Sequence, residues 1–421
     1  MTKKLLFLIL FLVLLFVGGA YYWLAYLGNP VPFTETAENP GGFNPFNRSS
    51  ITPPSNTNNY VSTTTNTTPP PPVEAQKLPI LRLLSATPVG GMSASTTAST
   101  TLVRYVDRGA GHIYESRADD ASIFKLSNTT LPRIYESYWN KNLSAVVLRY
   151  IKEGSDTVVN FYGEIRKVVV TASSTLDANK TPYEIRGKFL SADIKEMAVS
   201  PKGDRIFTFN VENGRGVGYI SQFDESKKTK LFDMPLTQVQ VSWPEENTLT
   251  ITTKASAVSS GYVYIVDIKN ATVKKVFGGT LGLTTKTSTD SKQILFSSSA
   301  SRTIKTSLYN TQTRATNEVI FKTFPEKCVW SNLHKNEVYC AVPTEIPNGL
   351  YPDDWYKGTV SFVDQIWHLD TLTGEVHLLA NLVNLSDRLI DATNLTLDPK
   401  ENFLYFINKN DLSLWSLDLN K

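Results

Sequence analysis

The stretch "LTLDPKENFLYFINKN" at residues 395–410 decides the fold, because a close copy, "MAVSPKGDRIFTFNVE", occupies residues 197–212. Both copies contain an alternating apolar run, a small or acidic residue, Pro-Lys, two turn-forming residues and a second alternating run. Alternation of apolar and polar residues with a period of two indicates β-strands. The proline-containing middle indicates a tight turn that joins the two strands as a hairpin.

Further copies of this hairpin run through the chain from residue 88 onward. They begin at residues 88, 135, 196, 239, 284, 327 and 393, and the copy at 88 is the weakest. A repeat in the forties, with several short strands in each period, is typical of a β-propeller whose blades begin with the repeated hairpin. We therefore predict an all-β fold with seven blades over residues 78–421. Six or eight blades also fit, because two intervals between copies are long.

The turns in two copies resemble those of a known family. "SPKGD" (200–204) and "LDPKEN" (397–402) are similar to the Ser-Pro-Asp-Gly-Lys turn of the WD-repeat-like propellers found in bacterial periplasmic Tol-type proteins. The resemblance rests on one short turn per blade, and the Trp-Asp dipeptide of true WD repeats is missing. It implies a propeller fold and a protein-binding function, and it transfers no catalytic residue. We expect Gly203, Asn247 or Asn402 to take the left-handed position of its turn.

The last copy leaves its blade one strand short. Strands are predicted near residues 393–397, 403–408 and 412–418, and the sequence ends at residue 421. The segment "LPILRLLS" at residues 78–85 alternates and has no other predicted partner. We predict that it pairs with 412–418 as the outer strand of the last blade, since an open ring would expose a sheet edge and two blade faces.

The N-terminal segment has the pattern of a membrane anchor. Residues 5–27 carry no charge, and about 20 apolar residues in a helix span a bilayer core. Lys3 and Lys4 precede this run, so the positive-inside rule predicts a short cytoplasmic N-terminus. The alternative is a cleaved signal peptide, with Gly18 and Ala20 at the cleavage site. Both interpretations place the remainder of the chain outside the cytoplasm.

The segment that follows is expected to be a linker. Residues 28–77 are mostly Pro, Thr, Ser, Asn and Gly, a composition too poor in apolar residues to form a core. The predicted organisation is a cytoplasmic tail and transmembrane helix at 1–27, a disordered linker at 28–77 and a propeller at 78–421. The predicted location is the cytoplasmic (inner) membrane, with the propeller extracytoplasmic.

The charge distribution argues against a nucleic-acid partner. The formal net charge is +3, and no basic run of the kind that tracks a phosphate backbone occurs. Lys227, Lys228 and Lys230 cluster, and a solvated hairpin tip explains them.

The two cysteines, Cys328 and Cys340, lie on the two strands of one predicted hairpin. If the connecting loop is 333–335, the cysteines face each other directly, at a separation that a disulfide accepts. If the loop is 334–336 they sit diagonally, and an even-numbered loop puts them on opposite faces. We predict a disulfide, since an oxidising compartment favours it. The alternative is two small buried thiols.

One long interval between copies, near residues 343–360, contains a candidate binding loop. Its members are Tyr351, Asp353, Asp354, Trp355 and Tyr356. Aromatic residues beside acidic ones suit contact with a protein or a glycan. The alternative is that the loop packs its own aromatic side chains against the blade.

No nucleophile motif, phosphate-binding loop or metal-ligand spacing occurs in the sequence, so we predict no catalytic residue, metal or cofactor. The predicted role is a protein-binding scaffold in a cell-envelope assembly, with another envelope protein or a glycan as partner. The alternatives are a type II membrane-anchored glycan-active enzyme and a carbohydrate-binding propeller. Carboxylates, histidine or arginine converging at the mouth of the central channel would favour the enzyme.

Overall fold

The structure, a computed structural model, describes residues 78–97, 100–118, 120–168, 183–192 and 194–420. Within these ranges the strands form seven antiparallel sheets of four strands each. In six blades the four strands follow one another in sequence, β2–β5, β6–β9, β10–β13, β14–β17, β18–β21 and β22–β25. The prediction of a seven-bladed propeller is confirmed.

The strands of blades one to four have the following bounds: β2 Val89–Thr96, β3 Thr101–Asp107, β4 Ile113–Arg117, β5 Ile123–Lys125, β6 Ile134–Trp139, β7 Ala145–Ile151, β8 Val158–Lys167, β9 Tyr183–Phe189, β10 Ile194–Val199, β11 Ile206–Glu212, β12 Arg215–Ser221, β13 Thr229–Met234, β14 Val239–Glu245, β15 Thr248–Thr253, β16 Ser260–Asp267 and β17 Thr272–Leu281. Those of blades five to seven are β18 Thr284–Thr287, β19 Gln293–Ala300, β20 Thr303–Asn310, β21 Thr316–Glu318, β22 Cys328–Trp330, β23 Glu337–Pro343, β24 Asp364–Asp370, β25 Val376–Asn381, β26 Ala392–Leu397, β27 Phe403–Asn408, β28 Leu414–Asp418 and, from the start of the chain, β1 Leu81–Ser85.

The first strand of each blade lies at the centre of the ring. These seven strands contact their neighbours in an unbroken circle, in the order β2, β6, β10, β14, β18, β22, β26 and back to β2. Because the strands of a blade alternate in direction, the ring has two different ends. We call the end with the connections between blades and between second and third strands the loop face. The opposite end, with the first-to-second-strand turns, is the turn face.

The repeated hairpin has a common hydrogen bond that explains its sequence. In four blades a polar side chain at the start of the turn accepts the backbone N–H five residues later. These pairs are Asn140–Ala145 at 2.9 Å, Ser200–Arg205 at 3.0 Å, Ser288–Gln293 at 3.0 Å and Asp398–Phe403 at 2.7 Å. The small or acidic residue of the repeat therefore fixes where the second strand begins.

The left-handed residue of these turns was predicted correctly in one case of three. Gly203 has φ 65°, but neither Asn247 nor Asn402 has a positive φ. In blade seven Glu401 takes the left-handed position instead, with φ 57°. Its carboxylate accepts Ser331 Oγ–H and the Asn332 N–H, both on the adjacent turn of blade six. Contacts with the neighbouring blade thus select a residue that the turn type alone disfavours.

The apolar core lies between blades, so each interface is shared by two repeats. Blades three and four bury one cluster that includes Phe207, Phe209 and Trp243, and blades six and seven bury another around Ile366 and Phe406. A blade cannot bury both of its faces by itself, so stability depends on a neighbour on each side.

The N-terminal strand closes the ring, as predicted. β1 pairs antiparallel with β28, with Leu81 opposite Leu417 and Leu83 opposite Trp415. Leu81 packs into the cluster between blades six and seven, whereas Leu84 packs into the cluster between blades seven and one. One short strand therefore supplies apolar side chains to both faces of the last blade.

No helix within the described ranges is long and apolar enough to cross a membrane. The predicted span at residues 5–27 and the predicted linker at 28–77 lie outside those ranges.

The cysteines occupy the directly opposed positions that a loop at 333–335 requires. β22 and β23 pair Cys328 with Cys340 and Trp330 with Val338. The two cysteines have Cα atoms 4.1 Å apart and are joined by a disulfide. Both are fully buried between blades five and six.

Removal of the closing strand is expected to weaken the whole ring. A chain beginning at residue 90 should melt at least about 5 °C below one beginning at residue 76, because it loses several kcal/mol of apolar burial. A point-mutant pair gives a matched test on the same strand. Leu81→Ala, at a position 6% exposed, should lose about 2–4 kcal/mol, and Leu83→Ala, at a position 36% exposed, less than about 1 kcal/mol. Equal melting temperatures for the two chains would contradict closure by β1.

Protein purified from outside the cytoplasm should contain no free thiol. Alkylation without reduction, followed by mass spectrometry, should leave both cysteines unmodified, and prior reduction should expose two. Replacement of both cysteines with Ala should lower the free energy of unfolding by roughly 2–3 kcal/mol, since the enclosed loop is short. Two alkylated thiols in the unreduced sample would rule the bond out.

Candidate functional site

The predicted binding loop is the connection between the second and third strands of blade six, at residues 344–363 on the loop face. It contains a single helical turn, Asp353–Tyr356. Tyr351 is 1% exposed and Trp355 is 4% exposed, and both pack with Phe324 and Phe362. For these two aromatic residues the structure favours the alternative in which the loop packs against its own blade. Tyr356, 40% exposed, remains at the surface.

A buried charge cluster lies beneath this loop. Lys327, Asp364 and Asp391 are all fully buried. The Lys327 ammonium contacts both carboxylates, at 2.7 Å from Asp364 and at a short distance from Asp391. Each aspartate stands at a strand entrance, Asp364 at the first residue of β24 and Asp391 directly before β26. The cluster therefore joins blade six to blade seven.

Asp391 also holds the loop in place. Its Oδ2 accepts the Trp355 indole N–H at 2.9 Å and the Phe362 backbone N–H at 3.0 Å. Burial raises the pKa of Asp364 to about 6, against the opposing effect of Lys327. A buried carboxylate is tolerated only where paired charges and hydrogen bonds compensate for lost hydration. For Asp364 that compensation comes from Lys327 and the Ala392 N–H. For Asp391 it comes from Lys327 and the two loop donors, so the loop conformation and the charge cluster depend on each other.

The loop extends from blade six over blade five to blade four. Gly349 N–H donates to the Arg302 carbonyl of blade five at 3.0 Å. Asp353 accepts the Ala257 N–H of blade four at 2.5 Å. Asp354 accepts the Leu350 N–H at 2.7 Å and thereby fixes the segment before the helical turn. Two of the five predicted binding residues, Asp353 and Asp354, thus serve to hold the loop.

Beside the loop, side chains cross the central channel. Glu326, just before β22 of blade six, accepts the Tyr356 hydroxyl at 2.6 Å and the Gln240 amide at 3.0 Å. Gln240 lies on β14 of blade four, and the inner strand of blade five stands between, so this bond bridges the lumen. The other carboxylate oxygen of Glu326 is buried and has no partner within the described residues. Burial raises the pKa of Glu326 and lowers that of nearby Lys286.

A second polar group lies where blades two and three meet. Arg149, 3% exposed, donates to Glu136 at 2.7 Å, to Asn160 at 3.1 Å and to the Ile194 carbonyl at 3.0 Å. Glu196, on the inner strand of blade three, has its pKa raised to about 7 by burial and by the charge of Glu136. Titratable groups perturbed by burial and like charge are found preferentially at functional sites, although structural networks also contain them.

Carboxylates of inner strands therefore do lie beside the channel near the loop face, and convergent carboxylates there were named in the sequence analysis as a sign of an enzyme. Two of these carboxylates have protein partners, since Arg149 and Tyr138 donate to Glu136, and Tyr356 and Gln240 donate to Glu326. Within the described residues no group of three or more His, Cys, Asp or Glu side chains could hold a metal ion.

Sequence reasoning missed Lys327, Asp364, Asp391, Arg149, Glu196 and Glu326. Two of them did carry a signal. Asp364 and Asp391 each follow apolar residues, in "FVDQIW" and "LIDATN", and a lone carboxylate in apolar surroundings at a strand entrance indicates a buried, paired charge. Nothing in the sequence indicated that Lys327 would reach both, because the three residues come from separate segments.

No protein-family model matches the chain, and no curated protein matches it. Similar solved structures include TolB from Acinetobacter baumannii, at 11% identity and TM-score 0.39, with 74% of this chain and 60% of that chain covered. Oligogalacturonate lyase from Vibrio parahaemolyticus has 10% identity and TM-score 0.49 over 80% of this chain and 90% of that one. The β-propeller domain of the Trilobed protease from Pyrococcus furiosus has 10% identity and TM-score 0.49, with 79% and 95% covered.

The match thus spans less than two thirds of the Acinetobacter TolB chain. A fold by itself does not select a function.

Asp391→Asn is expected to lower the free energy of unfolding by about 3–5 kcal/mol, because Lys327 and the loop donors lose a buried charged partner. Urea denaturation followed by tryptophan fluorescence measures the change. Glu345→Gln is the matched control, since Glu345 lies in the same loop and is exposed. It should change stability by less than about 0.5 kcal/mol. Equal stability of the two variants would show that the cluster does not anchor the loop.

Glu196→Gln is expected to stabilise the protein in a pH-dependent way. The folded-state pKa of Glu196 is raised from 4.5 to about 7. Its ionisation therefore lowers the free energy of unfolding progressively as the pH rises between these two values, fully above the higher one and not at all below the lower one. The variant should therefore be more stable than wild type at pH 8, by up to about 3 kcal/mol at 1.4 kcal/mol per pKa unit. The difference should vanish towards pH 4.5. A difference that is constant with pH would contradict the raised pKa.

Proposed function

We propose that this protein is anchored in the cytoplasmic membrane by residues 5–27 and binds another envelope protein through the loop face of an extracytoplasmic propeller. The observation that supports a protein partner is a fixed apolar surface on that face. Val258, Leu281 and Leu350 are 77%, 43% and 45% exposed. Contiguous exposed apolar side chains on a folded domain mark interaction sites more often than chance.

These three side chains come from different segments that the structure holds together. The Asp353–Ala257 hydrogen bond joins the segments of Leu350 and Val258. At Gly282, next to Leu281, an added Cβ would lie only 2.6 Å from the Tyr351 carbonyl oxygen. Because loop 344–363 is already held by Asp391, little conformational entropy is lost when a partner binds, and this favours affinity.

The second candidate is a glycan-active or carbohydrate-binding propeller, favoured by the pair Glu136 and Glu196 in the lumen. Carboxylates with different environments are the groups that glycan chemistry uses. Turnover or binding of envelope polysaccharide that Glu196→Gln abolishes, with loop-face variants unaffected, would favour this candidate over the first.

The proposal is tested by affinity purification of the full-length protein from membranes after cross-linking in intact cells. The double variant Val258→Asp/Leu350→Asp should lose the recovered partner. The control Leu378→Asp/Leu379→Asp adds the same charge at comparably exposed positions, 49% and 43%, on the outer strand of blade six. It should retain the partner. Recovery of the same partner from both variants would refute binding by the loop face.

Orientation is tested on the same cells. Protease added to spheroplasts should cut the chain outside the membrane, within or after residues 28–77. Protection until the membrane is opened from the cytoplasmic side would show that the propeller is not extracytoplasmic.

A further inference from the structure

A second surface, remote from the loop face, has a distinct chemistry. A groove of about 410 Å³ runs between blades four and five. Its lining includes the apolar side chains of Ile265, Val276 and Tyr309 and the cations Lys274 and Arg314. Lys275 also borders the groove, but its ammonium lies 5.4 Å from the centre of the Tyr262 ring, on the opposite face of the strand from Lys274. One carboxylate, Asp267, also lines it, and that carboxylate already accepts two hydrogen bonds from Asn270.

The cations of the groove have no carboxylate partner. Lys274, Lys275 and Arg314 are exposed, and none forms an ion pair within the described residues. Lysines of the neighbouring blades behave differently, since Lys230 on the outer strand of blade three pairs with Asp233 at 2.9 Å, and Lys305 on the third strand of blade five pairs with Glu318 at 2.8 Å. Lys274 and Arg314 against one occupied carboxylate leave the groove with unbalanced positive charge, which attracts an anionic ligand.

The strand that forms one wall offers a free backbone edge. β17 is ten residues long and is the outer strand of blade four, so within the described part of the chain it pairs with β16 alone. The outer strand of the next blade, β21, has only three residues. The edge of β17 is therefore not covered by its neighbour. An extended peptide can add to such an edge through main-chain hydrogen bonds.

The register of β17 puts Lys274 where alternate side chains of an added strand would point. Thr272 pairs with Asp267 and Lys274 with Ile265, so Thr272 and Lys274 share the face that looks towards blade five, where Arg314 lies across the groove. Lysine on an edge strand discourages pairing with an uncharged strand. An acidic strand would instead gain charge pairs as well as backbone hydrogen bonds.

We propose that the groove between blades four and five binds an extended acidic segment of a partner protein as a fifth strand on β17. This inference rests on the proposed function only in taking the partner to be a protein. An anionic polysaccharide fits less well, because the aromatic ring in the groove, Tyr309, is 6% exposed and gives a sugar ring little surface to stack on.

The probe is a short, labelled, end-capped peptide that alternates Glu and Val, titrated with the full-length protein and followed by fluorescence anisotropy. Lys274→Glu/Arg314→Glu should weaken binding at least about tenfold, equivalent to 1.4 kcal/mol. Lys227→Glu/Lys322→Glu makes the same change in net charge at exposed positions outside the groove. It should alter binding less than about twofold, since distant exposed charges are screened.

Two further probes separate the alternatives. A peptide alternating Glu and Pro keeps the charge but lacks every second N–H, so it should bind much more weakly if the backbone edge is used. An alginate oligosaccharide of equal charge should also bind weakly. The inference is overturned if the Glu-Val peptide does not bind, if both double variants weaken it equally, or if the alginate binds as tightly. Recovery of the cellular partner in the loop-face experiment would leave the proposed function standing in each case.

Discussion

The pairing of β1 with β28 is the constraint on which the rest of the structure depends. Every blade of the ring buries its faces against neighbours, so one open interface would expose apolar surface on both sides of the gap. The closing strand prevents this because Leu81 packs towards blade six and Leu84 towards blade one. Chain segments from opposite ends of residues 78–421 thereby complete a single blade, and all seven interfaces become equivalent in kind.

Within the closed ring, buried charge is used to connect blades at particular points. Lys327 joins Asp364 and Asp391 between blades six and seven, and Arg149 joins blade two to the first residues of blade three. Such groups are poorly tolerated unless every partner is present. They therefore fix one arrangement of neighbouring blades where apolar packing alone would accept several. The same network holds loop 344–363 over blades four to six, which gives the loop face its fixed surface.

The two proposed contact surfaces follow from different features of the blades. The loop face is formed by one long connection that bonds to two other blades, and it presents apolar side chains. The groove beside β17 is formed by unequal lengths of the outer strands, ten residues in blade four and three in blade five, and it presents cations. A partner could engage both, since they lie on different parts of the ring, and linked contacts raise the overall affinity.

The sequence by itself determined the propeller and the strand that closes it, and it favoured seven blades while six or eight also fitted. These features depend on local signals: alternation with a period of two, a polar residue that accepts a turn N–H, and a spare alternating segment. It also predicted that Cys328 and Cys340 would face each other directly if the loop between them lay at 333–335. Tertiary structure alone decided what the 351–356 residues do and which charges line the channel. Their roles depend on atoms that meet from distant segments. Asp391 accepts hydrogen bonds from Trp355 and Lys327, and Gln240 of blade four reaches Glu326 of blade six past the inner strand of blade five. A pattern read along the chain does not contain those distances.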